Sequence, residues 1–128
     1  MAEPSTPSSS SGTEPRIKLR MRVMLGESIA IGPGKIALLE ALAEAGSINA
    51  AAKRLGMSYR RAWLLIDELN ACLREPAVVS ATGGRHGGGS ELTALGAELV
   101  RLYRAIEHDA VASCRHDIDA LKGMLLVG

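Results

Sequence analysis

The chain has 128 residues, the length of one domain, and 47% of them are hydrophobic, enough to bury a core. Fifteen basic residues against fourteen acidic ones leave a net charge of +1, which by itself announces no nucleic acid. Trp63, Tyr59 and Tyr103 are the aromatic residues and Phe is absent, so the core must come from Ala, Leu, Ile and Val, which favours helices over a β-sandwich.

Residues 1–15 are rich in Ser, Thr, Pro and Gly and carry no hydrophobic pattern. Such a segment buries too little surface to offset its ordering entropy, and the sequence predicts a disordered tail. From Arg16 to Leu25 charged and apolar residues alternate, with Ile17, Leu19, Met21 and Val23 on one face. That period of two predicts a half-buried strand with Arg16, Lys18, Arg20 and Arg22 outward, ended by Gly26. The Gly32-Pro33-Gly34 run then opens a helix over Pro33–Ala45, whose apolar stripe is Ile36, Leu39, Leu42 and Ala43.

Gly46 stops that helix and Ser47 caps a short second one, with Ile48, Ala51, Ala52 and Leu55 inward and Gly56 at its end. Ser58 caps a third helix, 58–73, with Ala62, Leu65, Ile66, Leu69 and Leu73 at helical spacing. Pro76 breaks the chain. Val78–Ala81 reads as a strand, 82–90 as a loop with five glycines in nine residues, and Ser90-Glu91-Leu92 as a returning strand. Thr93 caps a last helix in which Leu95, Leu99, Leu102, Ile106, Ala110, Cys114, Ile118 and Leu121 recur every three or four residues. Continuous to Lys122, it would be about 45 Å long. A domain this small cannot cover such a stripe alone, so a second copy of the chain is expected on Leu95, Leu99, Leu102, Ile106, Ala110, Ile118 and Leu121.

The segment from Gly46 to Ala62 places two short, alanine-rich, Ser-capped helices around a turn at Gly56. Small residues let two helices cross closely, as a helix-turn-helix requires. The second helix would enter a major groove N-terminus first, presenting Ser58, Tyr59, Arg60 and Arg61. Hydroxyls and helix-terminal N–H groups suit phosphate, and arginine reaches base edges or phosphates. Ser47 at the preceding cap joins this set. The glycine loop between two strands forms a wing, whose Thr82, Gly83, Arg85 and His86 would face the DNA backbone or minor groove. No Gly-Lys-Ser/Thr follows the loop, which argues against a nucleotide-phosphate loop. Charge distribution agrees: 47–75 holds five basic against three acidic residues, and 91–128 holds six acidic against four basic.

The run Ile36-Ala37-Leu38-Leu39, Gly46-Ser47-Ile48, Ala51-Ala52-Lys53, Gly56, Ser58-Tyr59, Ala62-Trp63, Ile66, Glu68 and Asn70 resembles the N-terminal domain of ModE-type molybdate-responsive regulators. Ala81-Thr82-Gly83-Gly84 and Leu92-Thr93 extend the likeness, which covers roughly Arg16 to Ala110. The helix-turn-helix is also similar to the LysR family, which lacks this glycine-rich wing. The resemblance implies a homodimer on palindromic duplex operators, with contacts from Ser58, Tyr59, Arg60, Arg61 and the wing. Trp63 is expected either to pack under the wing or to touch the DNA backbone, and packing is favoured.

The fold class expected is mainly α with a small β-wing: a tail (1–15), a winged helix-turn-helix (16–92) and a C-terminal dimerisation helix and tail (93–128). The expected function is a sequence-specific transcription regulator linked to molybdenum or oxyanion genes, without a molybdate-binding domain in these residues. The alternative is an interaction module that heterodimerises with a full-length regulator without binding DNA itself. No catalytic set is legible, so an enzyme is not expected, and neither is a cofactor. Cys114 and His116 differ by about 200° around a helix and His108 shares neither face, which argues against a metal site. Cys72 and Cys114 lack metal-motif spacing and read as reduced. No apolar run approaches the roughly 20 residues that span a bilayer, and no signal-peptide core is present; the expectation is a cytoplasmic protein.

Overall fold

Glycine and serine punctuate the middle of the chain as their chemistry dictates. The structure, a computed structural model, describes residues 14–81 and 89–126. In chain order it contains β1 (Val23–Leu25), β2 (Ser28–Ile31), α1 (Pro33–Ala45), α2 (Ile48–Leu55), α3 (Tyr59–Cys72), β3 (Val78–Ala81), β4 (Gly89–Leu92), α4 (Ala94–Ser113) and α5 (Arg115–Gly123). Pro33 occupies the first turn of α1, where its missing N–H costs nothing. The Ser47 hydroxyl accepts from the Ala50 N–H at 3.1 Å, and the Ser58 hydroxyl from the Arg61 N–H at 3.1 Å. Both caps satisfy a donor that the helix cannot. Between them Gly56 sits at φ +70°, a left-handed conformation open to glycine at little cost, and turns α2 into α3.

The core forms where α1, α2 and α3 meet. Leu38, Leu39, Leu42, Ala51, Ala52, Ala62 and Leu69 are all buried, and Ala77 and Val78 of the wing join them. The α1 stripe differs from its expected form: Leu38 is fully buried and Ala43 is exposed. Leu55, expected inward, is 38% exposed. Alanine at the α1–α2–α3 contacts keeps the helices close, and the larger leucines of α1 fill the centre.

Two separate antiparallel hairpins complete the fold. The wing pairs β3 with β4, from Val78 opposite Leu92 to Ala81 opposite Gly89. The other pairs β1 with β2. The sequence expectation of one strand over 16–25 is corrected here. Strand structure begins only at Val23, because β2 offers a partner to Val23–Leu25 alone and the register slips between Val23 and Met24. Ile17 and Leu19 are exposed. The preceding segment is held differently: the Tyr103 hydroxyl of α4 donates to the Met21 carbonyl at 2.7 Å.

The Thr93 hydroxyl caps α4, accepting from the Gly96 N–H at 3.0 Å and donating to the Pro76 carbonyl at 2.8 Å. Leu95 and Leu99 pack against the core, whereas Leu102 and Ile106 are 46% and 50% exposed. The single helix expected to Lys122 is interrupted at Cys114, whose ψ of 15° leaves the helical range. Its N–H still bonds the Ala110 carbonyl and its carbonyl accepts from Ile118, so the break is one residue long. Chain contacts define two compact units, one spanning Arg20–Ile106 and one made of the chain up to Leu19 and from Glu107 onward. The first holds the core, the hairpins and the candidate interface. Cys72 and Cys114 are both free.

Candidate nucleic-acid interface

The exposed face of α3 is built by subtraction. Ala62, Ile66 and Leu69 turn into the core, which leaves Tyr59, Arg60, Arg61, Trp63 and Leu64 outside. Tyr59 is 53% and Trp63 45% exposed. The side chains of Arg60 and Arg61 have no ionic partner among the described residues. Two other cations are already engaged: Arg54 pairs with Glu44 at 2.8 Å, and the buried Lys35 donates to the Ile29 carbonyl at 2.9 Å and lies 3.5 Å from Glu68. The first two turns of α3 therefore carry two uncommitted guanidinium groups, an aromatic hydroxyl and an indole, spread around the exposed side of the helix. Ser58 is exposed at the same end, while Ser47 is partly buried at the α2 cap. Such a surface can take phosphate charge and base edges at once.

The wing is fixed to this helix by a residue the sequence reading quoted only for its family likeness. The Asn70 amide group donates to the Val78 carbonyl at 3.2 Å and accepts from the Ala77 N–H at 2.8 Å. From the other side, the Ser90 N–H donates to the Gly46 carbonyl at 3.0 Å, joining β4 to the end of α1. β3 and β4 are thus anchored to both α3 and the end of α1. The expected contacts Thr82, Gly83, Arg85 and His86 lie outside the described residues.

Charge pairs away from α3 act within the scaffold. Arg104 grips Glu40 with two bonds, 2.8 Å and 2.6 Å, tying α4 to α1. The hydrogen bonding from Arg104 holds the Glu40 carboxyl below its ordinary value of 4.5. On α4 the Glu98 carboxyl is likewise lowered by bonds from Arg101, which is itself raised. No helix among the described residues is long and apolar enough to cross a membrane.

Residues 34–97, from the start of α1 through the wing into α4, match the bacterial regulatory helix-turn-helix proteins of the lysR family. The chain belongs to that family. Among solved structures, this lysR-family chain is similar to the crystal structure of a CbnR_DBD-DNA complex, with a TM-score of 0.54 and 31% identity over 69% of this chain and 95% of that one. The architecture is thus a winged helix-turn-helix. The molybdenum transport protein ModE of Azotobacter vinelandii is 44% identical over 95 residues, which cover 74% of this chain and 35% of that protein. The DNA-binding transcriptional dual regulator ModE of Escherichia coli (strain K12) is 38% identical over 86 residues, 67% of this chain and 33% of that one. The lysR-type chain spans about a third of the length of these curated relatives. They are named as regulators and a transport protein, not as enzymes.

Proposed function

We propose that this chain binds duplex DNA as a homodimer and regulates transcription. The observation that carries the reading is the uncommitted pair Arg60 and Arg61, with exposed Tyr59 and Trp63, on the first two turns of the Ser-capped α3. In this reading α3 enters a major groove, and Thr82, Gly83, Arg85 and His86 of the wing approach the backbone alongside it. A second copy covers the exposed Leu102 and Ile106 of α4 and continues over Ala110, Ile118 and Leu121. Two-fold symmetry then calls for a palindromic operator with half-sites about 34 Å apart.

The relative named as a molybdenum transport protein supports a link to molybdenum or oxyanion genes. The test is selection of bound fragments from genomic DNA by the purified chain. Enrichment of an inverted repeat with half-sites one helical turn apart is the expected result. Recovery of fragments with no shared sequence would overturn sequence-specific regulation, and light scattering that gives a monomer at micromolar concentration would overturn the dimer.

A further inference from the structure

The reading helix has a hairpin on each of its long edges. At about 100° per residue, Arg61, Leu65, Glu68 and Cys72 fall within an arc of about 60°, and Asn70 lies about 170° from its centre. Asn70 holds the wing. The opposite arc forms one wall of a groove of 780 Å³ whose other wall comes from the β1–β2 hairpin and the segment before it. Arg20 and Arg22 line that second wall together with Glu27, Arg61 lines the first, and Ile29 and Leu65 lie in the same groove. The exposed residues Arg60, Trp63 and Leu64 occupy the arc between the two edges.

Three features make this groove more than a seam between elements. Arg20, Arg22 and Arg61 have no side-chain partner among the described residues, while the neighbouring Glu68 already faces Lys35 at 3.5 Å. The backbone that carries Arg20 and Arg22 has no strand partner there, yet it is pinned at the residue between them, where the Met21 carbonyl accepts the Tyr103 hydroxyl at 2.7 Å. A smaller groove of 240 Å³ lined by Ser58, Arg60 and Leu64 shares Arg61, Leu65 and Glu68 with the first, so a surface with more basic than acidic residues runs on to the N-terminal end of α3.

We propose that the β1–β2 hairpin and its Arg20–Arg22 approach form a second phosphate clamp, on the edge of α3 opposite the wing. The occupant is the sugar-phosphate backbone flanking each half-site. Guanidinium groups on both walls of an open groove continuous with the reading helix suit a strand of phosphates, whose contacts position a protein without reading sequence. The inference rests on the DNA-binding reading above.

The test uses the full chain, a duplex that it enriches, and a series of potassium chloride concentrations. Arg20→Ser/Arg22→Ser should bind roughly tenfold more weakly at low salt, with the slope of log affinity against log salt shallower by about 1.8 per bound protomer. Sequence preference should stay unchanged, and Arg20→Lys/Arg22→Lys should restore the slope. Phosphate-ethylation interference on the wild type needs no variant to fold and should show inhibitory positions on both sides of α3's groove. Wild-type binding with an unchanged slope in the Ser variant, or interference on the wing side alone, would overturn the clamp. Failure of the wild type to retain any duplex would overturn the DNA-binding reading and the clamp with it.

Discussion

Asn70 and Val78 are joined in both directions: the Asn70 amide nitrogen donates to the Val78 carbonyl at 3.2 Å, and its oxygen accepts from the Val78 N–H at 3.4 Å and the Ala77 N–H at 2.8 Å. A single side chain near the end of α3 thus stands in for a strand edge and sets where the wing starts. Asn70→Ala would leave the N–H of the fully buried Ala77 without a partner. A buried donor left unmet costs about 1–3 kcal/mol. Urea unfolding should show the midpoint falling accordingly; an unchanged midpoint would show that the bonds contribute nothing net.

Gly96 lies against the Ala77 backbone, and a β-carbon there would overlap the Ala77 carbonyl. Helix propensity alone would reward Gly96→Ala by about 1 kcal/mol. Overpacking against backbone costs about 1–3 kcal/mol or more, so the clash wins and the variant should melt lower than wild type. Gly34 in the first turn of α1 has nothing within 4 Å of the same added atom. Gly34→Ala should therefore stabilise by about 0.4–1 kcal/mol. Thermal melts of the two variants should move in opposite directions.

Tyr103 is 2% exposed, and its hydroxyl meets the Met21 carbonyl at 2.7 Å. Tyr103→Phe keeps the ring in the core and removes this bond. A loss of about 1 kcal/mol is expected, together with faster amide exchange at Arg20–Arg22. Exchange rates equal to wild type would show that the segment is held by other means.

Glu40 and Arg104 give a pH dependence of known sign. The folded-state pKa of Glu40 lies below its ordinary value of 4.5, chiefly through the Arg104 hydrogen bonds. The pair's stabilisation is then fully present above that ordinary value and is lost as pH falls through the lowered one. Both side chains are more than a third exposed, so solvent screening limits the effect to about 1 kcal/mol at most. Glu40→Gln should melt below wild type at neutral pH, and the gap should close toward pH 3. A gap that widens on acidification would contradict the assignment.

Much of this fold was legible because the signals were local. Pro33, Gly46, Ser47, Gly56 and Ser58 act through their own backbone chemistry, and the bounds of α1 and the caps of α2 and α3 follow from them. The alternation over Arg16–Leu25 misled because a period of two states that a strand could form, not that a partner is present; only β2, whose Ser28–Ile31 carries no such pattern, supplies one. The break at Cys114 left no trace, since neither proline nor glycine marks it. In the α4 stripe, Leu95 and Leu99 face the chain's own core while Leu102 and Ile106 face outward, a division that spacing alone cannot express. At the candidate interface Arg60, Arg61 and Tyr59 could be named from the helix-turn-helix pattern. The groove that Arg61 shares with Arg20 and Arg22 could not, because it depends on how a distant hairpin packs beside α3.

The reading end of α3 carries the central claim, and binding by Arg60→Ala/Arg61→Ala tests it most directly. Both side chains are exposed, so the double variant should melt as wild type does. In a band-shift titration at fixed salt on the enriched duplex, its affinity should fall by about tenfold or more, since each lost arginine contact to a base pair contributes about 1–3 kcal/mol of discrimination. An affinity equal to that of wild type would contradict the assignment of α3 as the helix that meets DNA.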